Sequence, residues 1–169
     1  MSSYEQRSIV VVAHNLRSVH NVGSLLRTGE VFAVGMVYVT GFTPHPAYPG
    51  DPRDARLQEQ QTRRLAKVAA GAERLVPFET REDVHALLAS LRDDGYTIVG
   101  LENDPGAAAI DEYSPGGKVA LLLGDEVVGI NHDLRDACDL LLQIPVYGRK
   151  ETLNVSVAAG IALYALRTA

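Results

Sequence analysis

Short runs of aliphatic and β-branched residues alternate along the chain with stretches whose apolar positions recur at helical spacing. Residues 8–13 (SIVVVA), 35–40 (GMVYVT), 96–101 (YTIVGL) and 118–123 (KVALLL) read as strands, and such continuous apolar runs suit strands buried on both faces. Two shorter strands are expected at 74–78 and 140–144. Residues 21–32 place Val22, Leu25, Leu26 and Val31 close to one helical face. Residues 57–69 read as a polar helix. Residues 80–91 read as a helix with Thr80 as N-cap and Asp83 three residues on. The last helix, residues 152–166, is apolar nearly all round and must be covered on several sides, for which a partner subunit is a natural cover. Residues 43–56, with four prolines and two aspartates, form an irregular loop, and 103–117 a second one. Strands alternating with helices predict an α/β domain with a mainly parallel sheet flanked by helices. No internal repeat or linker divides the 169 residues, so a single domain over 1–169 is expected, with no separate RNA-binding domain.

Composition narrows the setting. Hydrophobic residues make up 46% and charged residues 22%, ordinary values for a globular protein. The single cysteine excludes an internal disulfide and suits a reducing compartment. The polar N-terminus does not resemble a signal peptide. The most apolar stretch, 155–166, is shorter than the roughly 18 residues needed to span a bilayer. A cytoplasmic protein without membrane attachment is expected. The net charge of −5 argues against nucleic acid as a partner until the distribution is considered. Arg53, Arg56, Arg63, Arg64 and Lys67 cluster in and after the proline-rich loop, and Arg17, Arg149 and Lys150 lie in polar segments at strand ends. Local basic patches can bind phosphate on a globally acidic protein, while Arg63 and Arg64 taken individually read as a solvated helix face.

Common cofactor motifs fail. No G-x-G-x-x-G follows a strand, and the spacing Gly124 to Gly129 is followed by Ile130-Asn131 instead of Lys-Ser/Thr. No G-x-S-x-G is present. The five histidines are scattered away from Cys138 and from zinc-ligand spacing, so no metal site is expected. Three polar clusters remain. One runs from His14 through Asn21 to Arg27-Thr28, one is Gly124-Asp125-Glu126-Val127-Val128-Gly129, and one runs from Ile144 to Ser156. Taken singly, each has an ordinary explanation: Asn21 as helix cap, Arg27 as a solvated helix residue, a turn with solvated acids, and Thr152 as cap of the last helix. Together they sit at strand ends, where open parallel sheets bind ligands.

Read in order, N-L-R-S-V-H-N-V-G-S-L-L-R-T, L-L-L-G-D-E-V-V-G-I and I-P-V-Y-G-R-K-E-T-L-N-V-S-V-A-A resemble the three signature motifs of the SpoU (TrmH-like) ribose methyltransferases of the SPOUT superfamily. The likeness extends over nearly the whole chain and includes the segment K-V-A-A-G-A-E-R-L-V-P-F. It implies an α/β fold with a C-terminal deep trefoil knot, a rare exception to the rule against threading. It implies S-adenosylmethionine as cofactor, RNA (tRNA or rRNA) as substrate, a ribose 2′-hydroxyl as methyl acceptor, and a homodimer through the C-terminal helix. By motif position Asn21, Arg27, Glu126, Asn154 and Thr152 are the implied catalytic residues. Leu101, Gly124, Ile144 and Leu153 are the implied cofactor contacts. The family commonly has serine where Thr152 stands, and Gly-Asn-Glu where this chain has Gly124-Asp125-Glu126. Arg27 either serves as base or stays charged and grips a phosphate and the forming alkoxide. The second is favoured, because a guanidinium holds its proton far above neutral pH. The competing readings are a SPOUT-type base methyltransferase and an idle cofactor- or RNA-binding module. The Asn/Arg first motif argues for ribose, and the intact Asn21, Arg27, Glu126 and Asn154 argue for activity.

Overall fold

The computed structural model describes residues 7–149 and 152–169. The polar N-terminal segment before Arg7 and the cation Lys150 lie outside them. In chain order the elements are β1 (Ser8–His14), α1 (Val19–Val31), β2 (Met36–Thr40), α2 (Ala55–Ala69), β3 (Phe78–Arg81), α3 (Val84–Asp93), β4 (Thr97–Leu101), β5 (Ala108–Ala109), β6 (Lys118–Leu123), α4 (His132–Asp136), β7 (Leu140–Gln143) and α5 (Val155–Thr168). The strands form one sheet in the order β3-β2-β1-β6-β4-β7-β5, with every pairing parallel.

The apolar runs occupy the middle of this sheet, as their composition requires. Side chains alternate across a strand, so each central strand feeds two cores. Ile9, Val11 and Ala13 of β1 and Val119, Leu121 and Leu123 of β6 face a core shared with α1, α2 and α5. Val10 and Val12, with Ala120 and Leu122, face a second core closed by α3 and α4. Helices α1 and α2 pack so closely at Gly23 that a Cβ there would lie 2.8 Å from Val68 Cβ. The order β1-β6-β4-β7 makes the chain return from the far side of β4 to lay β6 between β4 and β1, then leave again as β7.

Several local expectations are corrected. The strand expected at 74–78 begins at Phe78. Residues Ala72–Arg74 form a 3₁₀ turn instead, and Phe78 pairs with Val37. Thr80 therefore lies inside β3, and α3 is capped by Asp83, whose carboxylate accepts from Ala86 N–H at 3.0 Å. Helix α1 is capped by Ser18, leaving Asn21 one turn inside, and α5 is capped by Asn154 and not Thr152. Helix α2 starts at Ala55, where Asp54 accepts from the N–H groups of Arg56 and Leu57. The short elements β5 and α4 had no periodic signal. On α5 the small and leucine residues Ala159, Ala162, Leu163 and Leu166 are buried, while Val157, Ile161 and Tyr164 remain exposed.

Candidate active site

A cavity of about 440 Å³ opens beyond the carboxyl ends of β4, β6 and β7. Volumes of roughly 300–1,000 Å³ suit a small-molecule cofactor. Leu101, Gly124, Ile144 and Leu153 line it, as do Asn21, Glu126, Thr152 and Asn154. Its apolar wall is made by Leu101, Leu123, Ile144, Val155 and Ala158, and its acidic rim by Glu102, Asp125 and Glu126. Arg27 is not part of the lining. It is exposed on α1, six residues beyond Asn21, which is about 9 Å along the helix axis.

The β6 end supplies the second polar cluster in a tight turn. Asp125 pairs with Gly129, and its Oδ1 accepts from the N–H groups of Val127 and Val128 at 2.7 and 3.0 Å. A Cβ on Gly124 would sit 2.5 Å from the Gly129 carbonyl carbon, so glycine is required for the turn to close. Asp125 Oδ2 also receives Arg17 Nε at 2.7 Å. Burial would raise the Asp125 carboxyl, but Arg17 and the two turn amides outweigh it and hold its pKa below the ordinary value.

Glu126 turns the opposite way, into the start of α1. Its Oε2 accepts from Arg17 N–H at 2.7 Å, and its Oε1 accepts from Ser18 N–H and from the Asn21 amide, both at 3.0 Å. Free N–H groups at a helix start favour an anion. Burial again pushes the Glu126 carboxyl up, but the Arg17 amide, the Asn21 side chain and the Ser18 amide together leave its pKa lowered. Asn21 then passes the network on, its Oδ1 accepting from Asn154 Nδ2 at 3.0 Å. Asn154 Oδ1 in turn accepts from Ser156 N–H and Oγ at 2.9 and 2.7 Å, capping α5. One hydrogen-bonded chain, Glu126–Asn21–Asn154–Ser156, thus joins the three polar clusters.

Not all the polar density after β1 belongs to the cavity. His14 Nδ1 lies 2.8 Å from Thr40 Oγ1, and Asn15 Nδ2 donates to His14 Nε2 at 3.0 Å. Asn15 Oδ1 accepts from Phe42 N–H. This pair braces the ends of β1 and β2, and burial, with His85 nearby, lowers the His14 pKa and favours the neutral ring. Arg17 is held by Asp125. Arg53 is spent inside its own loop, bonded to Asp51, Gln61 and the carbonyls of His45 and Pro46. Arg53 is therefore not a free phosphate ligand, which corrects its place among the expected RNA-facing cations, while the Arg17 side chain, 57% exposed, is engaged through Nε alone.

Glu102 was missed from sequence. It follows Leu101 at the end of β4, lines the cavity, and its Oε2 accepts from Ile130 N–H at 2.7 Å. Arg135 backs this contact, donating to Asp104 and to the Ile130 carbonyl, both at 2.6 Å. Only its position at a strand end signalled it. Among the described residues, no three His, Cys, Asp or Glu side chains gather so as to hold a metal ion, and no helix is long and apolar enough to cross a membrane.

The model of the SpoU rRNA Methylase family matches residues 8–164. The chain is 38% identical over 100 residues to the 23S rRNA (guanosine-2′-O-)-methyltransferase RlmB of Coxiella burnetii, covering 59% of this chain and 40% of that protein. It spans less than half the length of the curated relatives it matches. Among solved structures, the A. aeolicus TrmH/SpoU tRNA modifying enzyme superposes with a TM-score of 0.78 at 23% identity, covering 97% of this chain and 77% of the other. A structure described by the 2-OH methylation of C/U34 on tRNA gives a TM-score of 0.72 at 20% identity, covering 95% of both chains. At these identities the structures share the fold. The match to the family model takes in all three polar clusters joined at the cavity, and the chain belongs to the SpoU methylase family.

Proposed function

We propose that the protein transfers a methyl group from S-adenosylmethionine to a ribose 2′-hydroxyl of RNA, tRNA or rRNA. The observation that carries this reading is the chain Glu126–Asn21–Asn154 at the mouth of the cavity. It ties the substrate-facing first motif to the two segments that line the cavity. The names of the family relatives, which include a 23S rRNA guanosine-2′-O-methyltransferase, support the ribose as acceptor.

The residues present fit the cofactor. An apolar wall of Leu101, Leu123, Ile144 and Ala158 suits a flat adenine ring, and the carboxylates of Glu102, Asp125 and Glu126 suit a cation. When bound, S-adenosylmethionine supplies an electrophilic methyl. The protein's part is to align the hydroxyl and stabilise the charge it develops. Glu126 fixes the start of α1 and orients the Asn21 amide, so the first motif is preorganised. Asn154 caps α5 and holds Leu153 against the cavity, and Thr152 lines it. Arg27, exposed and free, grips the phosphate beside the reacting ribose and stabilises the charge forming on the alkoxide. The deep knot, a single domain over 1–169 and a cytoplasmic setting belong to the same reading.

A homodimer through α5 is part of it as well. Val157, Ile161 and Tyr164 recur at helical spacing and are 51%, 39% and 60% exposed. Burying that stripe on a second copy is the arrangement its chemistry favours.

The test is a ribose-methylation map of total RNA with and without the gene, followed by transfer of labelled methyl from S-adenosylmethionine to the RNA lacking the mark. A missing 2′-O-methyl restored by the purified protein is expected. Label released with the base instead of the ribose would establish base methylation. No transfer to any RNA would overturn the reading.

A further inference from the structure

We infer that the outer face of α2 is the track on which the RNA backbone lies, with Arg56, Arg63, Arg64 and Lys67 as its phosphate ligands. This rests on the RNA reading above. The chain has 16 lysines and arginines against a net charge of −5, and most of the described ones have a partner within the chain. Arg17, Arg53, Arg74, Arg81, Arg92 and Arg135 pair with carboxylates. Arg7 donates to the Leu166 carbonyl, Arg167 to the Phe32 carbonyl and Lys118 to the Asp94 carbonyl.

Among the described residues, six basic side chains have no hydrogen bond or ion pair: Arg27, Arg56, Arg63, Arg64, Lys67 and Arg149. All six are exposed. Four of them stand on one helix. Arg56, Arg63 and Lys67 are seven and four residues apart, which puts them within roughly 40° of one another over about 16 Å of axis, with Arg64 beside them. Leu65 and Ala69 hold the opposite side of α2 in the core. Glu59 is the one acid within the helix, and it pairs with none of the four. Exposed cations left without partners gain most from polyanionic phosphate, where each contact releases a bound counterion.

The fold sets where the track leads. The close approach of α2 to α1 at Gly23 packs the helix of the track against the helix that carries Arg27. The start of α1 carries Asn21 into the cavity, and Arg149 stands exposed on the loop whose Val146 lines the cavity rim. Backbone contacts position a nucleic acid without reading its sequence, so the stripe contributes affinity and register, while nucleotide choice lies elsewhere.

The experiment compares two double variants with equal loss of charge, Arg63→Gln/Lys67→Gln on the stripe and Arg81→Gln/Arg92→Gln at paired cations. Binding to tRNA and rRNA from a strain lacking the gene is measured across salt concentrations, with S-adenosylmethionine affinity and melting temperature as controls. The stripe variant is expected to flatten the dependence of log affinity on log salt by about two units and to raise the RNA KM several-fold. Its kcat, cofactor affinity and melting temperature should stay at the wild-type level, and the paired-cation variant should match the wild type in RNA binding. A wild-type salt slope in the stripe variant, or equal weakening in both doubles, would overturn the inference while leaving the methyltransferase reading intact. Polyglutamate competing as well as RNA would assign the stripe to acidic protein instead. If the wild-type protein neither binds nor methylates either RNA, the functional reading itself falls.

Discussion

Asn21 and Glu126 stand 105 residues apart in sequence, yet the Asn21 amide donates to Glu126 Oε1 at 3.0 Å. The contact is possible because Ser18, not Asn21, caps α1. That leaves the Asn21 side chain, 7% exposed, free to be shared between Glu126 and Asn154. An amide is the group this position needs, since it donates to a carboxylate on one side and accepts from an amide on the other.

Asn21→Asp keeps the shape and removes the donor. It places a second carboxylate against Glu126, so like charges repel across about 3 Å. Stability should fall by about 1–3 kcal/mol and methyl transfer by about 10²-fold or more. Chemical denaturation and a methyl-transfer assay measure the two. Wild-type stability in this variant would mean the network does not organise the site.

Acid should loosen the site from its carboxylates. Glu126 and Asp125 titrate below their ordinary values in the folded protein. Their contribution to stability is therefore complete above the unfolded values and is lost as pH falls through the folded ones. The melting temperature should be flat from about pH 7 to 5 and decline below about pH 4.5. In Glu126→Gln the protein should start less stable and lose less on acidification. An identical acid limb in that variant would show that Glu126 is not one of the groups responsible.

The proline-rich loop should depend on one arginine. The Asp51 side chain is 1% exposed, and its hydrogen bonds to Arg53 lower its pKa to about 2. Arg53→Lys retains charge but loses the fork that reaches His45, Pro46 and Gln61 together. A loss of about 1–3 kcal/mol is expected on denaturation, and more in Arg53→Ala, which leaves the Asp51 carboxylate buried alone. RNA affinity at low temperature should change little. A large affinity loss without destabilisation would return Arg53 to the RNA surface.

Arg27→Ala should leave cofactor affinity unchanged, since Arg27 is outside the cavity lining. Turnover should fall by about 10²-fold, as for loss of a contact made in the transition state. Arg27→Lys should retain partial activity with a flat pH profile if the residue grips phosphate. Activity rising steeply with pH would identify a base instead. Wild-type turnover in Arg27→Ala would leave it a solvated helix arginine.

Ile161→Glu puts a charge in the middle of the exposed stripe on α5. The wild-type protein should sediment as a dimer at micromolar concentration and this variant as a monomer with an intact fold. A wild-type monomer would remove the homodimer from the proposed function.

The central strands and their burial were legible in the sequence because their signal is local. A run such as SIVVVA or KVALLL has too few polar groups to face water on either side, so it must lie inside a parallel sheet. The need of the apolar last helix for a cover, and the Asn, Glu and Asn of the three motifs, could also be named from residue type and spacing, but which face of α5 stays exposed could not. Helix starts were displaced by one turn or less, because several Ser, Thr, Asp and Asn residues compete to cap and only the packed backbone chooses. At β3 the choice rested on a neighbour. Residues 74–78 (RLVPF) carry the apolar run, yet parallel pairing of Phe78 with Val37 places the strand over the more polar 78–81 (FETR). The cations could not be sorted from sequence at all. Arg17 and Arg53 look as free as Arg56 and Arg63 until Asp125, 108 residues away from Arg17, and the folded loop around Asp51 are in place. Sequence therefore determined which residues carry the chemistry, since that depends on side-chain type and short-range order. Tertiary structure decided which are spent holding one another and which remain for a ligand, because hydrogen bonds and ion pairs depend on distances in space that chain separation does not encode.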